Sequence, residues 1–174
     1  MKFIISIFMI LIFVSCGSRN KKEPESQKVL INMDTLLEMN RNMIRKDKDK
    51  IHEYIASNGT TMLESGTGLF YRKIMEVDGE NAGKGDVVIF SYDITSLQGN
   101  KFYSSKDLGR KEFEIDGSVI ESGWNEVATL MSAGDSMIAI LPPHLAFRNI
   151  GDGEKIGPGQ ILIYNLRLDS IVRR

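Results

Sequence analysis

The chain has 174 residues, of which 42% are hydrophobic, 26% charged and 8% aromatic, a composition typical of one globular domain. Its 22 basic and 23 acidic residues give a formal net charge of -1 without a basic block, so nucleic-acid binding is not expected. One Cys and two His cannot supply the four ligands of a structural zinc site, and a single Cys cannot form an internal disulfide. We therefore expect a folded domain that needs no metal or other cofactor.

The N-terminus carries a short apolar segment, residues 3–14, which follows a single Lys and stops just before Cys16. Roughly 12 apolar positions are too few for a transmembrane helix, which needs about 20, but they suit a signal peptide. We predict a signal peptide over residues 1–15. The four residues FVSC that end at Cys16 resemble the lipobox of bacterial lipoproteins, which implies lipidation of Cys16. The alternative is an uncleaved short anchor.

Residues 16–32 are dominated by charged and small polar side chains and cannot bury a core, so they predict a lipidated polar tether. Acyl chains on Cys16 would hold the folded part of the protein at a membrane, because three such chains exceed the two signals that stable anchoring requires. We therefore predict a lipid-anchored protein of the cell envelope whose folded part faces the periplasm.

Residues 33–58 are predicted to form an amphipathic helix, with the regular part at about 34–57. Asp34 is a candidate N-cap, and Asn58-Gly59 is a candidate C-terminal stop. The apolar stripe either packs on the following domain or pairs with a second copy to form a homodimer, and the sequence does not choose between the two. The stripe consists of Met33, Leu36, Leu37, Met43, Ile44, Ile51, Tyr54 and Ile55.

From residue 69 to residue 172 the apolar period changes from helical to alternating, which predicts a mainly β domain. The predicted strands are residues 70–77, 88–95 and 162–168, with shorter strands at Phe102 and Phe113. Apolar residues at helical spacing within 124–131 predict one short helix between strands. Tyr92 and Tyr164 are predicted to point inward. The class is α+β, an antiparallel sheet that wraps one helix.

No catalytic triad and no phosphate-binding glycine loop is recognisable in this sequence, and His52 and His144 are interpreted as surface side chains. What distinguishes the domain is a set of aromatic residues at strand ends and on inner strand faces. They are either plain core or the lining of a pocket. The set consists of Tyr92, Phe102, Phe113, Trp124, Phe147 and Tyr164.

Three stretches resemble FKBP-type peptidyl-prolyl isomerases in order and spacing: KFYSSKDLGRKEFEI at 101–115, VIESGWNEVATLMSAGDSMIAILPPHLAF at 119–147, and IGPGQILIYNLRL at 156–168. The resemblance covers residues 69–172 and implies a bent antiparallel sheet of about five strands around one short helix. The signal peptide, tether and leading helix also resemble lipoprotein members of that family, some of them associated with gliding motility.

The resemblance further implies a hydrophobic substrate pocket floored by Trp124, with the backbone N-H of Ile120 as a donor to the substrate. Rotation about an X-Pro bond crosses a barrier of roughly 18 to 20 kcal/mol that arises from amide resonance, so it needs no acid, base or cofactor. The implied catalytic residues are Tyr92, Phe102, Phe113, Ile120, Trp124, Phe147 and Tyr164, and the implied substrate-binding residues are Val119 and Tyr103.

Several positions depart from the family pattern, which has Asp, Tyr, Gly and Phe where this chain has Tyr103, Phe147, Arg148 and Tyr164. The hydroxyl missing from Phe147 predicts about a tenfold loss of activity, the value of one hydrogen bond. Tyr103 either narrows the pocket mouth or points to solvent. We predict a membrane-anchored isomerase of reduced activity that acts on X-Pro bonds of envelope proteins. The alternative is a non-catalytic client-binding or scaffold lipoprotein of the same fold, which uses helix 34–57 for assembly.

Overall fold

The computed structural model describes residues 32–174, so the predicted signal peptide, Cys16 and the predicted tether up to residue 31 lie outside the described residues. Residues 34–174 form one compact unit. Its elements in chain order are α1 (Met33–Ser57), β1 (Leu63–Glu64), β2 (Phe70–Met75), β3 (Val87–Ser96), β4 (Lys101–Ser104), α2 (Ser105–Leu108), β5 (Lys111–Glu114), α3 (Ser122–Thr129), β6 (Ser136–Leu141), a 3-10 helix (Pro143–Leu145) and β7 (Leu162–Val172).

The seven strands of the described part belong to one sheet in which every pairing is antiparallel. Their order is β1-β2-β6-β7-β3-β4, and β5 also pairs with β3. The ten residues of β3 alternate between buried and half-exposed side chains, as expected for a strand with one face on the core. Val88, Phe90 and Tyr92 therefore share the inner face with the largest hydrophobic cluster.

Helix α3 contributes the side chains that fill the inner face of the sheet. Trp124, Val127 and Ala128 are all buried, because a spacing of three and four residues puts them on one face of the helix. The preceding Gly123 permits this close packing, since a Cβ there would lie 2.7 Å from the carbonyl oxygen of Leu145. The predicted short helix between strands is confirmed, and it places Trp124 in the centre of the core.

Helix α1 has one apolar stripe whose two halves differ in exposure. In the C-terminal half, Ile51 is fully buried against Phe70 and Ile140 on the outer face of the sheet, and Lys48 pairs with Glu64 at 2.7 Å. The apolar side chains of the N-terminal half are 40 to 68% exposed: Met33, Leu36, Leu37, Met43 and Ile44. Of the two alternatives predicted for the stripe, packing on the following domain is therefore seen for its C-terminal half alone.

The α+β class and the order of the main elements agree with the prediction, but the sheet has more strands than the predicted five or so. Strand β6 lacks an alternating pattern because Ile140 packs under α1 while Met137 and Ala139 face the core, so both of its faces are apolar. Strand β1 and helix α2 are too short to leave a periodic signal. Helix α1 begins at Met33, so Asp34 lies inside its first turn and not at its N-cap.

Candidate functional site

A cavity of about 310 Å³ opens beside α3 and is lined by aromatic and charged side chains. Trp124 of α3 is 2% exposed and Tyr92 of β3 is 9% exposed, so these two rings form its deepest part. Phe147, which follows the 3-10 helix, lines the same cavity, and we call Tyr92, Trp124 and Phe147 the aromatic floor. The other lining residues are Ile94, Tyr103, Leu108, Lys111, Glu121, Asp152 and Glu154.

Trp124 packs among four other aromatic rings. The ring centroid of Tyr164 lies 5.1 Å from that of Trp124, the centroids of Tyr92 and Phe90 lie at 5.7 Å, and that of Phe113 lies at 6.0 Å. All four rings are inclined to the indole, the arrangement that aromatic pairs prefer. The position and orientation of Trp124 are therefore fixed by packing before any ligand enters.

The chain around Phe147 turns sharply after two prolines. The N-H of Arg148 donates to the carbonyl oxygen of Pro143 at 2.7 Å, and Arg148 has a left-handed φ of 53°. Glycine adopts that conformation more easily than Arg, so the Gly expected here from the family pattern would fit this turn with less strain. The substitution leaves Phe147 on the cavity wall.

Four of the nine predicted site residues line the cavity, namely Tyr92, Tyr103, Trp124 and Phe147. They come from four different parts of the chain: β3, β4, α3 and the segment after the 3-10 helix. The structure thus brings together at one cavity the aromatic residues that sequence alone places on strand faces and on the short helix.

The other aromatic residues predicted for the site do not line the cavity. Phe113 is 5% exposed and stacks on Phe90, and Tyr164 is fully buried against the indole of Trp124, so both support the floor from the core side. Phe102 and Ile120 are half-buried against the same core and are not among the lining residues.

Val119 is predicted as a substrate-binding residue, but its side chain is fully exposed. The chain reverses direction just before it, where Asp116 has a φ of 59° and the N-H of Ser118 donates to the carbonyl oxygen of Glu114 at 3.1 Å. Val119 is not among the lining residues of the cavity, whereas Glu121, two positions later, is. The predicted position of Val119 in the pocket wall is therefore corrected.

Four charged side chains that the sequence pattern did not select also line the cavity, and we call Lys111, Glu121, Asp152 and Glu154 the charged mouth. The Nζ atom of Lys111 lies 5.9 Å from the ring centroid of Trp124, within the range of a cation-π contact. Alternation along β5 puts Lys111 on the same strand face as Phe113, so this residue could have been found from the sequence. The two carboxylates of the later loop gave no such signal.

Tyr103 connects strand β4 to that later loop. Its hydroxyl donates a hydrogen bond to Oδ2 of Asp152 and lies 3.4 Å from Oε2 of Glu154. The bond to Asp152 raises the pKa of Tyr103 to about 12. Burial acts to raise the pKa of Asp152, but the hydrogen bonds from Tyr103 and from the N-H groups of Glu154 and Ile156 outweigh it and hold that pKa below its usual range. Tyr103 therefore narrows the mouth and does not point to solvent.

Tyr164 is fully buried, and its hydroxyl has no hydrogen-bond partner among the residues that the structure describes. Burial raises the pKa of this phenol, and the nearby charge of Glu121 raises it further, so the phenol is neutral. Leaving a buried hydroxyl unpaired costs about 1 to 3 kcal/mol. The contribution of Tyr164 to the site is consequently its ring, which packs against Trp124.

A second, larger cavity of about 550 Å³ lies on the outer face of the sheet. Its lining includes Ser91, Asp93, Asn165 and Arg167, polar side chains that strand alternation turns away from the core.

Within residues 32–174 no group of three or more His, Cys, Asp or Glu side chains could hold a metal ion, and no helix there is long and apolar enough to cross a membrane. The aromatic cavity is therefore the candidate functional site.

An apolar cavity with rigid ring faces suits the side chain of proline, and it removes water from the amide that precedes the proline. Rotation about that amide breaks no bond and transfers no proton.

Residues 78–169, more than half of the chain, match the family described as FKBP-type peptidyl-prolyl cis-trans isomerase. The antiparallel sheet around α3 and the aromatic cavity agree with this match. The chain belongs to the FKBP-type peptidyl-prolyl isomerase family.

Individual relatives show the same affiliation. The chain is 28% identical over 130 residues to the probable FKBP-type peptidyl-prolyl cis-trans isomerase FkpA of Neisseria meningitidis serogroup B, which covers 73% of this chain and 47% of that protein. It is 31% identical over 131 residues to the outer membrane protein MIP of Legionella longbeachae, over 72% of this chain and 54% of the relative. The crystal structure of FkpA from Escherichia coli matches with a TM-score of 0.63 and 25% identity, over 79% of this chain and 64% of that one. The chain thus spans about half the length of these two curated relatives.

Proposed function

We propose that the protein is a peptidyl-prolyl cis-trans isomerase that binds the proline of a client protein in the cavity above Trp124. The aromatic floor carries this proposal, because it offers a rigid, apolar receptor with one buried indole at its base. Family membership supports the same activity.

The chemistry follows from the surroundings of the amide. An X-Pro bond resists rotation by roughly 18 to 20 kcal/mol because its planar form is stabilised by a charge-separated resonance form. Moving the amide out of water into the cavity disfavours that form, and ring contacts that fit the twisted amide better than the planar one lower the barrier further. Burial raises the pKa of Tyr92, so the floor is uncharged at neutral pH.

The proposal is tested by the rate of cis-to-trans conversion of a short Leu-Pro peptide in the presence of the full chain in detergent. We expect a saturable acceleration that falls about tenfold in Phe147→Leu, since a loss of one ring contact worth about 1.4 kcal/mol in the transition state has that effect. Leu63→Ala is the matched control, because Leu63 is 63% exposed on β1 and lies outside the cavity. A folded protein without any acceleration rejects the isomerase proposal.

A second candidate is a client-binding or scaffold module without catalytic activity, and the charged mouth favours it. The ammonium group of Lys111 already lies over Trp124, and Asp152 and Glu154 add two carboxylates that a desolvated amide would approach. In that case a proline peptide would change the fluorescence of Trp124, the only Trp of the chain, without any acceleration of isomerisation.

We also propose that lipid on Cys16 holds the protein at a membrane of the cell envelope, facing the periplasm, where its clients are proline-containing envelope proteins. The apolar N-terminal segment supports this, and one relative is named an outer membrane protein. Membership of a gliding-motility-associated lipoprotein subgroup belongs to the same proposal. Cys16→Ser should abolish labelling by a palmitate analogue and release the protein from the membrane fraction, whereas retained label would reject lipidation.

We further propose that the exposed half of α1 pairs with a second copy of the chain. Leu37 and Ile44 are 47% and 49% exposed and lie seven residues apart, in line with the buried Ile51, a spacing that suits helix pairing. Leu37→Glu should halve the mass of the full chain in sedimentation experiments. Arg45→Glu is the control, because Arg45 is exposed and lies on the opposite side of α1 from the apolar stripe. A monomeric wild type would reject the dimer.

A further inference from the structure

The loop of residues 149–156 follows Phe147 and is mostly exposed, with Ile156 as its only buried residue. Asp152 gives the loop its internal order. Its Oδ1 atom accepts hydrogen bonds from the N-H groups of Glu154 at 2.8 Å and Ile156 at 2.9 Å, and its own N-H donates to the carbonyl oxygen of Ile156 at 3.0 Å. The loop is therefore a small pre-formed turn built around one carboxylate.

This turn is attached to strand β4 through polar contacts. The hydroxyl of Tyr103 donates to Oδ2 of Asp152, the oxygen that the internal bonds of the loop leave available. On the other side of the ring, Lys155 places its Nζ atom 5.1 Å from the ring centroid of Tyr103 and donates to the carbonyl oxygen of Phe102 at 3.3 Å. Two side chains of the loop thus engage neighbouring residues of the same strand.

The attached loop forms part of the cavity. Asp152 and Glu154 line it together with Tyr103, and the loop continues directly from Phe147, whose carbonyl oxygen accepts the N-H of Gly151 at 3.1 Å. A loop that moved away from β4 would take both carboxylates out of the cavity wall. Trp124 would stay in place, because its position depends on other rings.

We propose that Tyr103 is a positioning residue whose hydrogen bond to Asp152 holds the 149–156 loop against β4 and so fixes one wall of the client-binding cavity. The proposal rests on the isomerase function proposed above. A fixed wall lowers the entropy that a bound client must lose, so the bond contributes to client binding more than to rotation of the amide.

The direct test is Tyr103→Phe, which removes the hydroxyl and keeps the ring that Lys155 contacts. In the full chain we expect KM for a Leu-Pro peptide to rise about fivefold while kcat stays within about twofold. The lost cavity wall stabilises the bound peptide and its transition state equally, and the aromatic floor is unchanged. Tyr71→Phe is the matched control, a hydroxyl deletion at a half-buried Tyr that does not line the cavity.

Amide hydrogen exchange provides a second readout that does not depend on activity. Exchange at Glu154 and Ile156 should become about tenfold faster in Tyr103→Phe and stay unchanged in Tyr71→Phe, since the loop opens more often once its bond to β4 is lost. Asp152→Ala removes the same bond together with the two bonds that Oδ1 accepts inside the loop, so exchange there should be at least as fast as in Tyr103→Phe. Adding Tyr103→Phe to Asp152→Ala should have no further effect, because the bond between the two side chains is already lost.

The outcomes separate the two proposals. Unchanged KM and unchanged exchange in Tyr103→Phe would overturn the positioning role, and so would equal losses of kcat and thermal stability without a rise in KM. If the wild type shows no isomerase activity but exchange in the loop still accelerates in Tyr103→Phe alone, the role of Tyr103 stands and the isomerase proposal fails.

Discussion

The aromatic floor and the charged mouth belong to one cavity but are built in different ways. The floor consists of rings that pack deep in the core or beside it, and Trp124 alone contacts four other aromatic rings. The mouth consists of charged side chains that are half-exposed or exposed, on β5, on the segment before α3, and on the 149–156 loop. The same packing that stabilises the fold therefore fixes the floor, whereas hydrogen bonds at the surface hold the two loop carboxylates of the mouth, Asp152 and Glu154.

This difference separates the two properties that a prolyl isomerase needs. A rigid apolar floor acts on the barrier to rotation, and a change there disturbs stability and catalysis together. A polar mouth on loops acts on which clients bind and how tightly, and a change there leaves the fold intact. Substitutions in the two regions are expected to have effects of different size.

The largest effect is expected in the floor. Trp124→Ala should lower the free energy of unfolding by about 3 to 5 kcal/mol, the usual cost of truncating a large buried aromatic side chain. Leu108→Ala is the comparison outside the floor, because Leu108 lines the same cavity beside the charged mouth but is 64% exposed. It should cost less than about 1 kcal/mol. Denaturant unfolding followed by circular dichroism measures both values. Equal losses would contradict the division into floor and mouth.

A smaller effect of opposite sign is expected behind the floor. Tyr164→Phe should raise the free energy of unfolding by about 1 kcal/mol, because it removes a buried hydroxyl without a described partner and keeps the ring. Tyr103→Phe, which removes a bonded hydroxyl, should lower it. The same unfolding experiment tests both, and a loss of stability in Tyr164→Phe would show that its hydroxyl has a partner, such as a buried water.

In the mouth, Lys111→Met should strengthen binding of a neutral proline peptide about two- to fivefold, since an exposed cation-π contact worth about 0.5 to 1 kcal/mol no longer competes for the indole. Titration of Trp124 fluorescence gives the Kd. Glu112→Gln is the control, because Glu112 is exposed on the opposite face of β5. Weaker binding in Lys111→Met would mean that the lysine contacts the client.

The smallest effect depends on pH. The pKa of Asp152 is lowered in the folded protein from a usual value of about 3.9, so the stability that this carboxylate contributes is present above about pH 4 and is lost as the pH falls through the lowered pKa. The difference in unfolding free energy between wild type and Tyr103→Phe should therefore be constant near neutral pH and shrink in acid. A difference that persists unchanged down to about pH 2 would contradict the role of the Asp152 charge.

The floor could be predicted from sequence because its residues carry local signals. Tyr92 lies in an alternating strand, Trp124 lies in a short amphipathic helix, and Phe147 follows two prolines. The family motifs cover Trp124 and Phe147 as well. Periodicity fails where burial is two-sided, as in β6. The family motif fails at Val119, whose side chain is fully exposed. Local patterns therefore predict which side chains are buried better than where exposed ones point.

The charged mouth and the different exposure of the two halves of α1 depend on contacts between distant parts of the chain. Tyr103 meets Asp152 across 49 positions of sequence, and neither residue type indicates that pairing in advance. The stripe on α1 is continuous in sequence, but the outer face of the sheet offers Phe70 and Ile140 to its C-terminal half alone. Such contacts can be predicted only once the fold is known.

The central claim is that the aromatic floor carries catalysis and the charged mouth tunes binding. It is tested most directly by kcat for one Leu-Pro peptide in two variants of the full chain, Phe147→Leu in the floor and Glu154→Gln in the mouth. The account predicts that kcat falls about tenfold in the first variant and changes less than about twofold in the second. An equal fall in both, or a larger fall in Glu154→Gln, would contradict it.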